Sequence, residues 1–306
     1  MVVQPAEKII PHTYSHIVKS VLNKHKQRDS WFLTGYAVNP YEGCSCNCLY
    51  CFIRGSKYGE NMTHALSVKS NAVEVLNKQL KDRAAKGQYE FVAVGSATDA
   101  YMPQESQYRM TEAMLQLLLQ YRFPVFISTK RTLITRDIAI LKAIDEQAIL
   151  PNDLSVSPGR GLILSVSIST LNNEHSNMLE PGAVSPVQRL GLVRQLKNEG
   201  FLVGVNAIPL LPFITDVNDE LEKIIAAASG YGADYILCGS LTLFGNDKAD
   251  SKILYYKFLE RFYPDLIPYY DELYSGNHYP TRQYQSALKQ RADALCKKYN
   301  IRSSII

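Results

Sequence analysis

No apolar run in this 306-residue chain is long enough to cross a bilayer, and no segment is biased enough to be disordered. Hydrophobic residues make up 46% and charged residues 20%, the balance expected of a soluble globular protein. The first residues, MVVQPAEKIIPHTYSH, carry no apolar stretch of the signal-peptide kind, which makes the cytoplasm the expected compartment and a membrane partner unexpected. Neither a phosphate-binding P-loop nor a serine-hydrolase elbow occurs. The six histidines, His12, His16, His25, His64, His175 and His278, form no constellation, so they predict no metal site of their own. There is no internal repeat and no low-complexity tract. The net charge of +4 is too mild to imply nucleic acid without a concentrated basic face. The length suits either two small domains or one large α/β barrel.

Cysteine is scarce as well, six in all, yet four of the six fall within eight residues: Cys44, Cys46, Cys48 and Cys51, in NPYEGCSCNCLYCF from Asn39 to Phe52. Cys44, Cys48 and Cys51 stand as C-x3-C-x2-C, so three thiolates can converge from one short loop, which is how an iron-sulfur cluster is gripped. A structural zinc site prefers two separated ligand pairs, and no second pair follows. Cys238 and Cys296 are solitary. Disulfides are not expected of a cytosolic chain. The spacing thus favours a cluster over zinc or unbound thiols.

Short apolar runs alternate with amphipathic segments. They predict strands near 35–39, 91–95, 124–129, 163–169, 202–208 and 234–238, and helices near 67–85, 105–121, 135–148, 185–199, 217–230 and 251–262. Thr135 before Arg136 and Asp137, and Ser185 before Pro186, read as helix starts. A strand followed by a helix about six times means parallel strands joined by right-handed crossovers. The pattern alone fits an open sheet or a barrel. The strand ends are polar and small: Gly95-Ser96-Ala97-Thr98-Asp99, Ser128-Thr129-Lys130, Ser167-Ile168-Ser169 and Asn206. In parallel α/β folds that rim binds ligands, and the cysteine loop follows the first strand onto the same rim.

Residues 255–284 crowd ten aromatics together, from Tyr255, Phe258 and Phe262 through Tyr270 and Tyr274 to Tyr284. They read as a C-terminal cap over the open end, in preference to a stacking surface for bases. A last helix is predicted over 281–298, with its lysines and arginines on a solvated face.

The C-x3-C-x2-C loop resembles the signature of radical S-adenosylmethionine enzymes. In these, three cysteines hold three irons of a four-iron cluster, and the cofactor's amino and carboxylate groups chelate the fourth. The likeness continues through GSATDAYMPQE, STKRTLITRDI, SVSISTLNNEHSNMLEPGAVSPVQRL and NAIPLLPFITDVNDEL. In order and spacing these resemble the spore photoproduct lyase-like family from about Lys19 to about Phe262. The resemblance implies a partial (β/α)6 TIM-like barrel of parallel strands, open on one side, with the aromatic-rich helical cap behind it. It also implies three regions: an N-terminal extension over 1–34, a core barrel over 35–250 and a cap over 251–306.

By the same resemblance Cys44, Cys48 and Cys51 would ligate a [4Fe-4S] cluster, and Tyr50 would lie against the adenine of S-adenosylmethionine. Thr98 and Asp99, with Gly95 and Ser96 more loosely, match the segment at the methionine end. Lys130 and Ser167 match contacts to the cofactor carboxylate or ribose. Asn206 and Ala207 would pass close to adenine. Glu180 and Arg189 would stand on the rim, Arg189 within reach of the cofactor. A carboxylate in a partly dry cavity needs a cation, which Lys130 can supply unless it is paired structurally with Asp99 or Asp137. The implied chemistry is reductive cleavage of S-adenosylmethionine to a 5'-deoxyadenosyl radical that removes a hydrogen atom from substrate. The electron would come from a flavodoxin or ferredoxin. The substrate is unidentified, and the family leans toward nucleic acid. A non-catalytic iron-sulfur protein that binds nucleic acid is the alternative.

Two departures stand out. Spore photoproduct lyases return a hydrogen atom from a cysteine after the second strand, whereas no cysteine occurs here between Cys51 and Cys238, and Phe52 replaces an expected tyrosine. This argues against cleavage of a thymine dimer in spore DNA. Cys46 replaces a usual histidine, as a spare ligand, a hydrogen-atom donor or a tolerated small residue. Cys238, ending the sixth strand, would be the replacement donor if it faced the cavity, and is otherwise core.

Overall fold

The computed structural model describes residues 13–56 and 66–306; His12 and His64 lie outside them. The strands are β1 (Thr13–His16), β2 (Leu22–Lys24), β3 (Thr34–Val38), β4 (Tyr41–Glu42), β5 (Leu66–Lys69), β6 (Phe91–Val94), β7 (Val125–Thr129), β8 (Leu162–Ser167), β9 (Leu202–Leu210) and β10 (Tyr235–Ser240). The helices are α1 (Ala72–Ala85), α2 (Glu105–Tyr108), α3 (Met110–Gln120), α4 (Ile138–Gln147), α5 (Asn173–Leu179), α6 (Pro186–Asn198), α7 (Asn218–Gly230), α8 (Ser251–Phe262), α9 (Ile267–Leu273) and α10 (Arg282–Lys298).

Seven strands form one sheet in the order β10-β9-β8-β7-β6-β3-β2. The six from β3 to β10 are parallel, as a partial (β/α)6 barrel requires, and β2 adds an antiparallel edge. Part of the 1–34 segment is therefore woven into the sheet. Strands covered on both faces are buried throughout, as β6 and β8 are, and β6 reads as an unbroken apolar run. Ser185 starts α6 with a reciprocal capping box to Gln188.

The structure departs from the expected elements in three places. Residues 66–69 form β5 because Leu66 and Val68 alternate inward with period two. This strand joins β1 and β4 in a separate three-stranded sheet, and the helix begins only at Ala72. The helix expected over 105–121 is broken at Arg109, whose φ of 49° lies in the left-handed region. Thr135 starts no α-helix; it lies within a 3-10 turn over Thr132–Asp137 that feeds α4.

The inner face of the sheet changes chemistry along its length. At its base Phe91, Phe126, Ile163, Leu202 and Tyr235 pack together with Ile305 as an apolar floor. A Cβ on Gly204 would lie 2.4 Å from the Tyr235 ring, so only glycine admits that ring to the floor. Two residues further along each strand, the same inward parity gives Ser128, Ser165 and Gly204, then Ser167 and Asn206. The barrel is sealed below and polar above.

Behind the cysteine loop lies a second core, in which Cys46, Cys48 and Tyr50 pack with Leu211, Leu241, Tyr255, Phe258, Tyr270 and Tyr274. The Tyr255 and Tyr270 hydroxyls are 2.9 Å apart, and Tyr274 donates to the Leu241 carbonyl at 2.8 Å. These buried tyrosines make the aromatic segment a cap.

Candidate active site

The polar upper half of the barrel encloses a cavity of about 520 Å3. Its wall runs from Thr34 and the residues just before it, at one end of the sheet, to Ser240 and Thr242 at the other. Cys44, Cys46, Cys48, Tyr50 and Cys51 lie on that wall with Ser96, Thr98, Asp99, Lys130, Ser167 and Asn206. Folding thus gathers these eleven candidates, and Gly95 with them, from widely separated parts of the sequence.

The loop that carries the thiols is braced from both sides. Its own turns are closed by Asn47 N–H to the Cys44 carbonyl (3.2 Å) and Cys51 N–H to the Cys48 carbonyl (3.3 Å). The buried Arg54 guanidinium donates to the Cys48 carbonyl at 3.1 Å and to the Asn47 side chain. Leu49 N–H reaches the Leu179 carbonyl at 2.8 Å, and Gly182 N–H reaches the Cys46 carbonyl at 3.0 Å.

Asp99 ties this loop to the strand ends. Its carboxylate accepts from Tyr101 N–H (2.9 Å), Thr129 Oγ1 (2.8 Å) and Lys130 N–H (2.7 Å), and Cys46 Sγ lies 3.8 Å away. Its own N–H points at Cys44 Sγ, 3.4 Å away.

Glu180, a second buried carboxylate, lies behind the lining rather than on the rim and forms a hub there. It accepts from Arg189 at 2.5 Å and from the Tyr50 hydroxyl, which also meets Ser169 Oγ at 2.9 Å. Lys130 Nζ stands 3.9 Å from it, so the lysine's structural partner is Glu180 and neither Asp99 nor Asp137. Burial pulls the Lys130 pKa down, but Cys48 and Glu180 outweigh it and leave the ammonium above its ordinary value. Burial likewise raises Glu180, but Arg189 and Lys130 bring it below the usual carboxylate range.

Two of the sequence candidates stand elsewhere. Arg189 is fully buried behind the wall, donating to the Ser167 carbonyl (2.8 Å) and Ser176 Oγ (2.7 Å) as well as to Glu180. Cys238 packs against the outer core of the sheet, and burial, with Cys296 adding to it, pushes its thiol up. The structure also places residues in the wall that no sequence signal marked: His25, Asp29 and Phe32 ahead of β3, and Ser240 and Thr242 at the end of β10; Ser128 on β7, one of the polar strand ends, joins them.

Burial pushes the Cys48 and Cys51 thiols up, so their ionisation needs a cation close by. Among the described residues no three His, Cys, Asp or Glu side chains converge on a single-ion site. A cluster takes one thiolate per iron and asks only for neighbouring thiols on one wall, which Cys44, Cys48 and Cys51 provide. Ser128 Oγ lies 3.0 Å from Ser167 Oγ and accepts from Asn206 Nδ2 at 3.3 Å. Thr98 Oγ1, Asn206 Oδ1 and Ser240 Oγ are buried without a partner. Such orphaned atoms suit a ligand that brings hydroxyls and an amine of its own. The residues present fit both a cluster and a zwitterionic nucleoside cofactor.

Residues 38–228 match the family model of the Radical SAM superfamily. The chain belongs to the radical SAM superfamily. It is an enzyme of radical chemistry, of a family that works with S-adenosylmethionine and an iron-sulfur cluster. An uncharacterized protein of Mycobacterium tuberculosis is 29% identical over 272 residues, covering 87% of this radical SAM chain and 75% of that protein. The radical SAM Nalpha-GlyT isomerase of Pseudomonas phage M6 is 22% identical over 208 residues, covering 67% of this chain and 39% of that one. Among solved structures, a mutant of spore photoproduct lyase superposes with a TM-score of 0.64 at 13% identity, covering 94% of this chain and 79% of that one, which establishes the shared fold. Among the described residues no helix is long and apolar enough to cross a membrane.

Proposed function

We propose that this chain holds a [4Fe-4S] cluster on Cys44, Cys48 and Cys51 and uses S-adenosylmethionine to remove a hydrogen atom from a base of nucleic acid. Bound together, cluster and cofactor supply reductive cleavage of the sulfonium C–S bond, releasing methionine and a 5'-deoxyadenosyl radical. The protein's part is to bind, orient and exclude water. Lys130 offers the cation for the cofactor carboxylate, Ser128, Ser167 and Asn206 offer short polar groups for ribose, and Tyr50 offers a ring held in place by Glu180 and Ser169. The electron would come from a flavodoxin- or ferredoxin-class protein, in keeping with the cytoplasmic location expected from the sequence.

The observation that carries this reading is that three thiols, one buried lysine and the orphaned hydroxyls share one cavity. The nucleic-acid substrate draws support from a solved spore photoproduct lyase holding a dinucleoside spore photoproduct, which is a fold-level similarity. Of the two thiols considered as hydrogen-atom donors, Cys46 is on the cavity wall and Cys238 is not, which favours Cys46. The non-catalytic alternative rests on a basic isoelectric point and on the C-terminal aromatics as a stacking surface, and of those aromatics Tyr255, Tyr270 and Tyr274 are buried. The test is anaerobic reconstitution with iron and sulfide, reduction with dithionite, and chromatography for 5'-deoxyadenosine. An intact four-iron cluster that yields none defeats the proposal.

A further inference from the structure

The hairpin between β2 and β3 enters the cavity at the free end of the sheet. Its backbone is closed by His25 N–H to the Gly35 carbonyl and Asp29 N–H to the Thr34 carbonyl, both 2.9 Å. Leu33, with φ of 60°, holds a left-handed conformation unusual for a residue other than glycine. Three hairpin side chains before β3 reach the cavity wall: His25, Asp29 and Phe32.

Their hydrogen-bonding state follows from their partners. His25 Nδ1 lies 3.0 Å from the Thr34 carbonyl oxygen, which can only accept, so Nδ1 carries the proton and Nε2 of the neutral ring is an acceptor. Asp29 Oδ1 accepts from Trp31 N–H and Phe32 N–H, both at 2.8 Å. Neither His25 Nε2 nor Asp29 Oδ2 has a hydrogen-bond partner among the described residues. Phe32 packs on Phe126 with ring centroids 5.0 Å apart. Trp31, the chain's one tryptophan, is 45% exposed beside it. Lys24 and Lys26 flank His25 and are exposed.

We infer that this hairpin is the substrate-reading wall of the enzyme: His25 Nε2 and the Asp29 carboxylate accept hydrogen bonds from the N–H edge of a nucleobase that packs against Phe32, while Lys24 and Lys26 hold the adjoining phosphates. The inference rests on the nucleic-acid reading above. Two acceptors of one hairpin on the same cavity wall select donors such as an exocyclic amine or imide N–H, and carboxylates read cytosine N4 in this way. An aromatic ring gives any base a stacking face. A base must leave its stack to meet a reactive group in a cavity, and exposed lysines on either side of His25 in the chain suit the strand that remains outside.

The test uses the full iron-loaded chain with S-adenosylmethionine under anaerobic conditions. Fluorescence anisotropy is read with labelled single-stranded eight-nucleotide homopolymers of deoxycytidine and deoxythymidine across a salt series. His25→Asn keeps an amide donor for the Thr34 carbonyl and removes the Nε2 acceptor. Asp29→Asn keeps the Oδ1 acceptor for Trp31 and Phe32 and removes the charge. Each should weaken binding about tenfold with an unchanged salt slope, as expected of base contacts. For Asp29→Asn this sign is diagnostic, because removing a negative charge near a polyanion would by charge alone tighten binding. Lys24→Ala with Lys26→Ala should instead flatten the slope by about 0.7 for each phosphate no longer neutralised. Phe32→Leu preserves apolar packing on Phe126 and should weaken binding about fivefold because a base can no longer stack there, a result that stands even if a hairpin polar variant folds poorly. Wild-type binding matched by His25→Asn, Asp29→Asn and Phe32→Leu overturns the hairpin assignment and leaves the nucleic-acid reading standing. If the wild-type chain binds neither oligonucleotide, both fall.

Discussion

Gly182 donates its N–H to the Cys46 carbonyl at 3.0 Å, and a Cβ placed on Gly182 would stand 1.9 Å from the Ser45 carbonyl oxygen. The segment after α5 and the thiol loop therefore meet backbone to backbone, with room for hydrogen alone. Gly182→Ala must displace the loop, and overpacking of this kind costs about 1–3 kcal/mol. Iron bound per chain after reconstitution should fall while far-UV circular dichroism is unchanged; full iron loading would show that the loop tolerates the shift.

Cys46 and the three proposed ligands should separate cleanly on metal content. Cys46→Ala is expected to keep about four irons per chain with the visible absorbance of the cluster, whereas Cys44→Ala, Cys48→Ala or Cys51→Ala should each reduce both. Loss of iron in Cys46→Ala would make it a ligand.

Arg189 and Glu180 form a wholly buried ion pair, and removing one partner strands the other charge. Arg189→Met should lower unfolding free energy in urea by about 3–5 kcal/mol, with the double variant Arg189→Met, Glu180→Gln recovering part of it. A single variant as stable as wild type would show that Lys130 alone satisfies the carboxylate.

His175 links α5 to the cap, edge-on to Phe258, Phe262 and Tyr263 at 5.4–5.5 Å between ring centroids. Burial holds its pKa below the ordinary histidine value. The unfolded chain thus binds the proton more readily than the folded one, and the stability His175 contributes is lost as pH falls from about 6.5 toward the lower folded value. Thermal midpoints between pH 7.5 and 5 should fall more steeply for wild type than for His175→Gln, and parallel curves would count against it.

Much of the fold was legible in the chain itself. The parallel strands announce themselves because both faces are covered, leaving apolar runs such as Phe91–Val94, and the crowded cysteines mark a single loop. Tertiary pairing was harder to read. Leu66–Lys69 looks like the start of a helix until β1 and β4 are known to flank it. The partner of Lys130 is fifty residues away at Glu180 because α4, β8 and α5 carry the chain out and bring that carboxylate back to Tyr50. His25, Asp29 and Phe32 carry no motif, and only the return of the hairpin to the free edge of the sheet puts them in the cavity.

The core behind the thiol loop joins Cys46, Cys48 and Tyr50 to the tyrosines of α8 and α9. Whatever stiffens the loop therefore stiffens residues 251–274 as well. Oxygen damage would not stay local in such a molecule: limited trypsin digestion should nick the air-exposed protein first within this stretch.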